Sequence, residues 1–68
     1  MPRFDKHERA ILQVLHQYRR PMSKREIGSK TGMSYLTVSK YLSRLQDRHI
    51  VRMMGSDWEI NPQIYDYW

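Results

Sequence analysis

The sequence predicts a mostly α-helical domain ending in a small β-hairpin: an α+β arrangement of three helices followed by a two- or three-stranded sheet. Three observations point there. Apolar residues recur at helical spacing up to Leu45, in segments that open on side chains able to cap a helix. At Ile50 the pattern becomes strand-like. The Gly55-Ser56 pair then falls between two short apolar segments, as a two-residue hairpin turn requires.

The first helix is expected over about 6–19. Asp5 can cap the free amides of its first turn, and Glu8, three residues on, makes a capping-box-like pair. Ile11, Val14, Leu15 and Tyr18 then lie on one amphipathic face that Leu12 widens. Pro21 closes the helix, because the residue before proline is pushed toward extended geometry. Ser23-Lys24-Arg25-Glu26 reads as a cleaner capping box and opens a short helix over about 24–31, with Ile27 inward and Gly32 as the left-handed stop. Ser34 caps a third helix over about 35–48, whose Val38, Leu42 and Leu45 share one face. Two helices joined at Thr31-Gly32-Met33-Ser34 make a helix-turn-helix candidate. Ile50-Val51-Arg52-Met53-Met54 and Trp58-Glu59-Ile60 form the hairpin over about 50–60, with a type II′ turn at Gly55-Ser56. Asn61 and Pro62 can start a last helical turn in the aromatic tail, 61–68.

The chain has 68 residues and a formal charge of +5, enough for one domain with a marginal core. With no cysteine there is no disulfide framework and no thiolate zinc site. The longest apolar run, Ala10-Ile11-Leu12, is far too short to span a membrane or serve as a signal-peptide core. A soluble, intracellular domain of cytoplasmic location is the expectation. The charge is unevenly placed. Residues 19–52 hold nine Lys and Arg against Glu26 and Asp47, a net of +7, whereas residues 53–68 carry −3. The middle third is therefore the candidate polyanion surface.

The order helix, capped short helix, glycine turn, longer helix and tight hairpin resembles a winged helix-turn-helix domain. Met22 through Ser34 resembles the first half of the motif, Tyr35 through Leu45 its recognition helix, and Asp47-Arg48-His49-Ile50-Val51 the passage into the wing. The chain is similar to small archaeal, bacterial and viral transcriptional regulators of the broad MarR-like kind. The resemblance implies sequence-specific binding of double-stranded DNA. Two features depart from that pattern. His49 stands where such domains often have glycine, so a strained or differently shaped backbone is expected there. The wing tip carries Asp57 and no Lys or Arg, which leaves Arg52 as the wing's one cation for a phosphate.

With a helix turning about 100° per residue, Leu36, Thr37, Lys40, Ser43 and Arg44 fall opposite the apolar stripe of the third helix. A major groove about 12 Å wide admits such a helix with its N-terminal half nearest the bases. Tyr35, Leu36, Thr37, Lys40 and Arg44 are the expected base-reading set. Leu36 either meets a thymine methyl or packs against the wing or the second helix. Tyr35 serves either packing or a phosphate, and Tyr41 is expected to pack at the rim. Phosphate contacts are expected from Ser23, Lys24, Arg25, Lys30, Ser34, Ser43 and Arg52, with Arg19 and Arg20 extending the footprint. The amides at a helix N-terminus favour such anions.

His7, His16 and His49 match no ligand spacing, so no metal is expected. No phosphate loop or nucleophile motif appears, and neither an enzyme, a cofactor nor a small-molecule ligand is expected. Four of the eight aromatic residues lie in the last eleven positions. They either fold over the first helix or, as favoured here, form the seam of a homodimer through Ile64, Tyr65, Tyr67 and Trp68. Such a dimer presents two recognition helices about 34 Å apart. Two other functions compete: a winged-helix protein-interaction module, and a nonspecific architectural or RNA-binding protein.

Overall fold

A computed structural model describes residues 4–67 of the chain, with side chains over residues 4–64. The helices are α1 (Lys6–Tyr18), α2 (Lys24–Thr31) and α3 (Tyr35–Asp47), followed by strands β1 (Val51–Met54) and β2 (Asp57–Ile60). Three helices plus a two-stranded antiparallel hairpin make a winged helix.

Helix α1 starts at a complete capping box. Asp5 accepts from the Glu8 amide at 2.8 Å, and the Glu8 carboxylate accepts from the Asp5 amide at 3.0 Å. The helix buries Glu8, Ile11, Leu12 and Leu15, at i, i+3, i+4 and i+7. This corrects the sequence expectation: the inward stripe is rotated from the one through Val14 and Tyr18. Val14 is half-buried, and Tyr18 lies at the margin, 37% exposed. The charge of Glu8 disguised the pattern. Its carboxylate is buried yet satisfied, by the cap and by Arg48 Nη1 at 3.5 Å. Arg19 stops the helix in the left-handed region, φ 51°, its amide bonding the Leu15 carbonyl.

Met22 is fully buried and exchanges two 2.8 Å backbone bonds with Trp58. A one-residue bridge thus stands in for a third strand and ties the hairpin to the α1–α2 link. Ser23 caps α2 by accepting from the Glu26 amide at 3.1 Å, but the reciprocal half expected of that capping box is replaced. The Glu26 carboxylate pairs with Arg20 instead.

The turn between α2 and α3 is held on three sides. Gly32 takes φ 77° and bonds the Gly28 carbonyl at 2.8 Å. Thr31 Oγ1 donates to the Ile27 carbonyl at 2.8 Å and accepts from the Met33 amide at 3.3 Å. Gly28 is buried where a Cβ would stand 2.8 Å from the Met33 carbonyl oxygen. Only glycine lets the two helices approach this closely, a requirement absent from the sequence reading.

Helix α3 buries Val38, Leu42 and Leu45. It ends in a Schellman arrangement: the His49 amide bonds the Gln46 carbonyl at 2.9 Å, and the Ile50 amide bonds the Leu45 carbonyl at 3.0 Å. His49 occupies the left-handed position at φ 61°, where the sequence departs from the usual glycine. Asn61 Nδ2 braces it by donating to the His49 carbonyl at 3.1 Å.

In the hairpin Met54 pairs with Asp57, leaving Gly55-Ser56 as a two-residue loop. Gly55 has φ 64° and Ser56 is not in the positive region, the sign pattern of a type II′ turn. Val51, Trp58 and Ile60 join the helices in one core. A 3-10 turn, Pro62–Tyr67, follows Asn61, whose Oδ1 accepts from the Gln63 amide at 3.1 Å. Ile64 is half-buried against the core. Of the expected dimer seam, the side chains of Tyr65 and Tyr67, and all of Trp68, lie outside the described residues.

Candidate nucleic-acid interface

The face of α3 opposite Val38, Leu42 and Leu45 is open. Leu36 is 80% exposed, Tyr35 57%, and Lys40, Ser43 and Arg44 are also exposed. Packing of Leu36 against the wing or α2, one of its two expected fates, does not occur.

Two of the expected contact residues are occupied locally. Ser34 Oγ accepts from the Thr37 amide at 3.2 Å and donates to Thr37 Oγ1 at 2.9 Å. Capping α3 therefore engages both hydroxyls, and Thr37 is half-buried rather than outward. Ser23 is similarly engaged as the cap of α2. Ser43 remains on the outward face one turn past Ser39.

Eight of the nine cations of residues 19–52 divide into two groups, and the ninth, Arg19, ends α1. Four of the nine in residues 19–52 are paired: Arg20 with Glu26, Arg44 with Asp5 at 3.9 Å, Arg48 with Glu8 and Arg52 with Glu59 at 2.6 Å. Arg44 leans toward the start of α1, over the Tyr41 ring at 5.4 Å, and not along the axis of the outward face. Arg52 Nε donates across the sheet to its strand partner Glu59, and the Arg52 side chain stays half exposed. Among the described residues, Lys24, Arg25, Lys30 and Lys40 form no ion pair.

Lys24 and Arg25 line an open groove with Gly28, Ser29, Gly32, Met33 and Tyr35, between the start of α2 and the start of α3. The Lys24 ammonium sits 5.6 Å from the Tyr35 ring and 5.8 Å from the Trp58 ring. One side chain of α2 thus lies over rings from both α3 and the hairpin. Lys30 lies 5.3 Å from the Tyr18 ring at the far end of α2. Tyr41 is half-buried and stacks on His7, centroids 4.8 Å apart, as expected of a rim residue.

Arg20 holds the Glu26 carboxyl below the ordinary carboxylate value through its hydrogen bond and charge, and Glu26 raises Arg20 in turn. The pair braces the α1–α2 link, away from the open face of α3. No group of three His, Asp or Glu able to hold a metal ion occurs among the described residues. No helix among them is long and apolar enough to cross a membrane.

The profile of the winged helix-turn-helix DNA-binding family matches residues 4–52, from before α1 into β1. No curated protein matches the sequence.

Proposed function

Because the chain belongs to the winged helix-turn-helix DNA-binding family, we propose that it is a sequence-specific transcriptional regulator that lays α3 in the major groove of duplex DNA. The observation that carries this reading is that four cations forming no ion pair among the described residues lie on the two helices of the motif. Lys24, Arg25, Lys30 and Lys40 all lie on α2 and α3, while the wing's Arg52 is matched by Glu59. Lys40 and Leu36 serve as base-edge readers, joined by Tyr35, Thr37 and Arg44 at the margins. Lys24, Arg25 and Lys30 hold phosphates together with Ser23 and Ser34 at the helix starts and Ser43 on the outward face of α3. Phosphate contacts set register and base contacts set preference. The role is one of binding, not of catalysis, in the cytoplasm of a cell or of a virus-infected host.

The protein acts as a homodimer in this reading, since a core this small gains from a second burial surface and two copies span successive turns of a pseudo-palindromic site. The tail from Ile64 onward supplies the seam with α1.

Selection of bound duplexes from a random pool, run beside a measurement of mass in solution, tests both points. A repeated half-site and twice the chain mass are expected. Replacing Lys40 and Arg44 with alanine abolishes site preference. Equal affinity for all duplexes, with a steep salt dependence, points to an architectural protein; no duplex affinity at low salt points to a protein-interaction module.

A further inference from the structure

We propose that Leu36 reads the C5 methyl of a thymine, so that the preferred site holds a thymine about two base-pair steps from the purine met by Lys40. This deepens the proposed docking of α3 in the major groove and rests on it. Among the described residues Leu36 is the most exposed of the large hydrophobic side chains, at 80%, and it sits in the first turn of α3, the part nearest the bases in that docking. An aliphatic side chain held in water gains only when it meets another apolar group. The thymine methyl is the apolar group that base edges present in the major groove.

The neighbours of Leu36 leave that contact to it. Ser34 donates its hydroxyl proton to Thr37 Oγ1 within the helix cap, and Thr37 is half-buried. Lys40, one turn along, is exposed, holds its ammonium 5.5 Å from the Tyr41 ring and makes no ion pair among the described residues. It is placed to donate to the O6 and N7 acceptors of guanine. Four residues of helix rise about 6 Å, against roughly 3.4 Å per base step, which sets the separation of the two readings. Uracil lacks the methyl, so the contact also favours DNA over RNA of the same sequence.

The test takes the duplex selected by the full chain and replaces each thymine in turn by deoxyuridine, which removes the methyl alone. One position per half-site is expected to lose about four-fold in affinity, the worth of one buried methyl. Leu36→Ala, at a position too exposed to unsettle the fold, binds the thymine and deoxyuridine duplexes equally. The inference is overturned if no deoxyuridine weakens binding, or if the variant discriminates as well as the parent. Unchanged affinity of Leu36→Ala for every duplex also overturns it and assigns the side chain to a protein contact. Failure to select any site overturns the major-groove reading itself, and this inference with it.

Discussion

His49 carries a side chain where the helix-to-strand turn needs a left-handed backbone, φ 61°, and Arg19 does the same at the end of α1 with φ 51°. A residue with a Cβ is disfavoured there by roughly 1–2 kcal/mol, while glycine gives part of that back through its freer unfolded chain. His49→Gly is therefore expected to stabilise the domain by about 0.5–1 kcal/mol, seen as a higher urea midpoint at unchanged slope. The Asn61 amide that bonds the His49 carbonyl shows how the fold supports the strain. Removing it in Asn61→Ala leaves that carbonyl without the donor and costs about 1 kcal/mol, measured the same way. The position was legible because Asp47-Arg48-His49 follows the last apolar residue of a helical stripe; the brace was not, since twelve residues separate His49 from Asn61.

At the scale of elements, the approach of α2 and α3 depends on Gly28, whose absent Cβ leaves room for the Met33 carbonyl at 2.8 Å. Gly28→Ala forces that carbonyl or the α2–α3 turn to move and is expected to destabilise by about 1–3 kcal/mol. Weakened duplex binding accompanies the loss, because the same shift displaces α3 from Lys24; circular dichroism melts and a binding titration on one sample read both. The link before α2 responds to pH. With its carboxyl held below the ordinary value by Arg20, Glu26 is protonated more readily in the unfolded chain than in the folded one. Its stabilisation is complete above the ordinary carboxylate value and drains away as pH falls through the depressed one. The pair is exposed, so the effect is small. Glu26→Gln should flatten this part of the acid limb in a plot of melting temperature against pH, with the curves separating only at the upper end.

For the whole molecule, pairing decides which charges are available to a polyanion. The formal count of +7 over residues 19–52 includes four side chains already matched to carboxylates. The four lysines and arginines of α2 and α3 that form no ion pair among the described residues predict a logarithmic salt slope of roughly −3 to −4 per protomer, well below what seven net charges suggest. Lys40→Ala is expected to lower its magnitude by about 1, whereas Arg52→Ala leaves it nearly unchanged. A filter-binding series in salt separates the two. The matched Arg52–Glu59 rung also makes the hairpin a structural buttress, its Trp58 joined to Met22 and touched by Lys24.

Helix order, the glycine stop at Gly32, the apolar stripe of α3 and the Gly55-Ser56 turn were all open to reading from the sequence. Each depends on contacts between residues a few positions apart, and those follow from side-chain type and spacing. The inward face of α1 was displaced because a charged residue, Glu8, occupies it, and its acceptability depends on Arg48, forty residues away. The same distance limit applies to the candidate interface. Sequence placed Leu36, Lys40, Arg44 and Arg52 together as outward or basic. Tertiary structure decided that Leu36 stays uncovered, that Lys40 remains unpaired among the described residues, and that Arg44 and Arg52 face carboxylates. Charge is a property of a residue, but its availability depends on what the fold brings within a few ångströms of it.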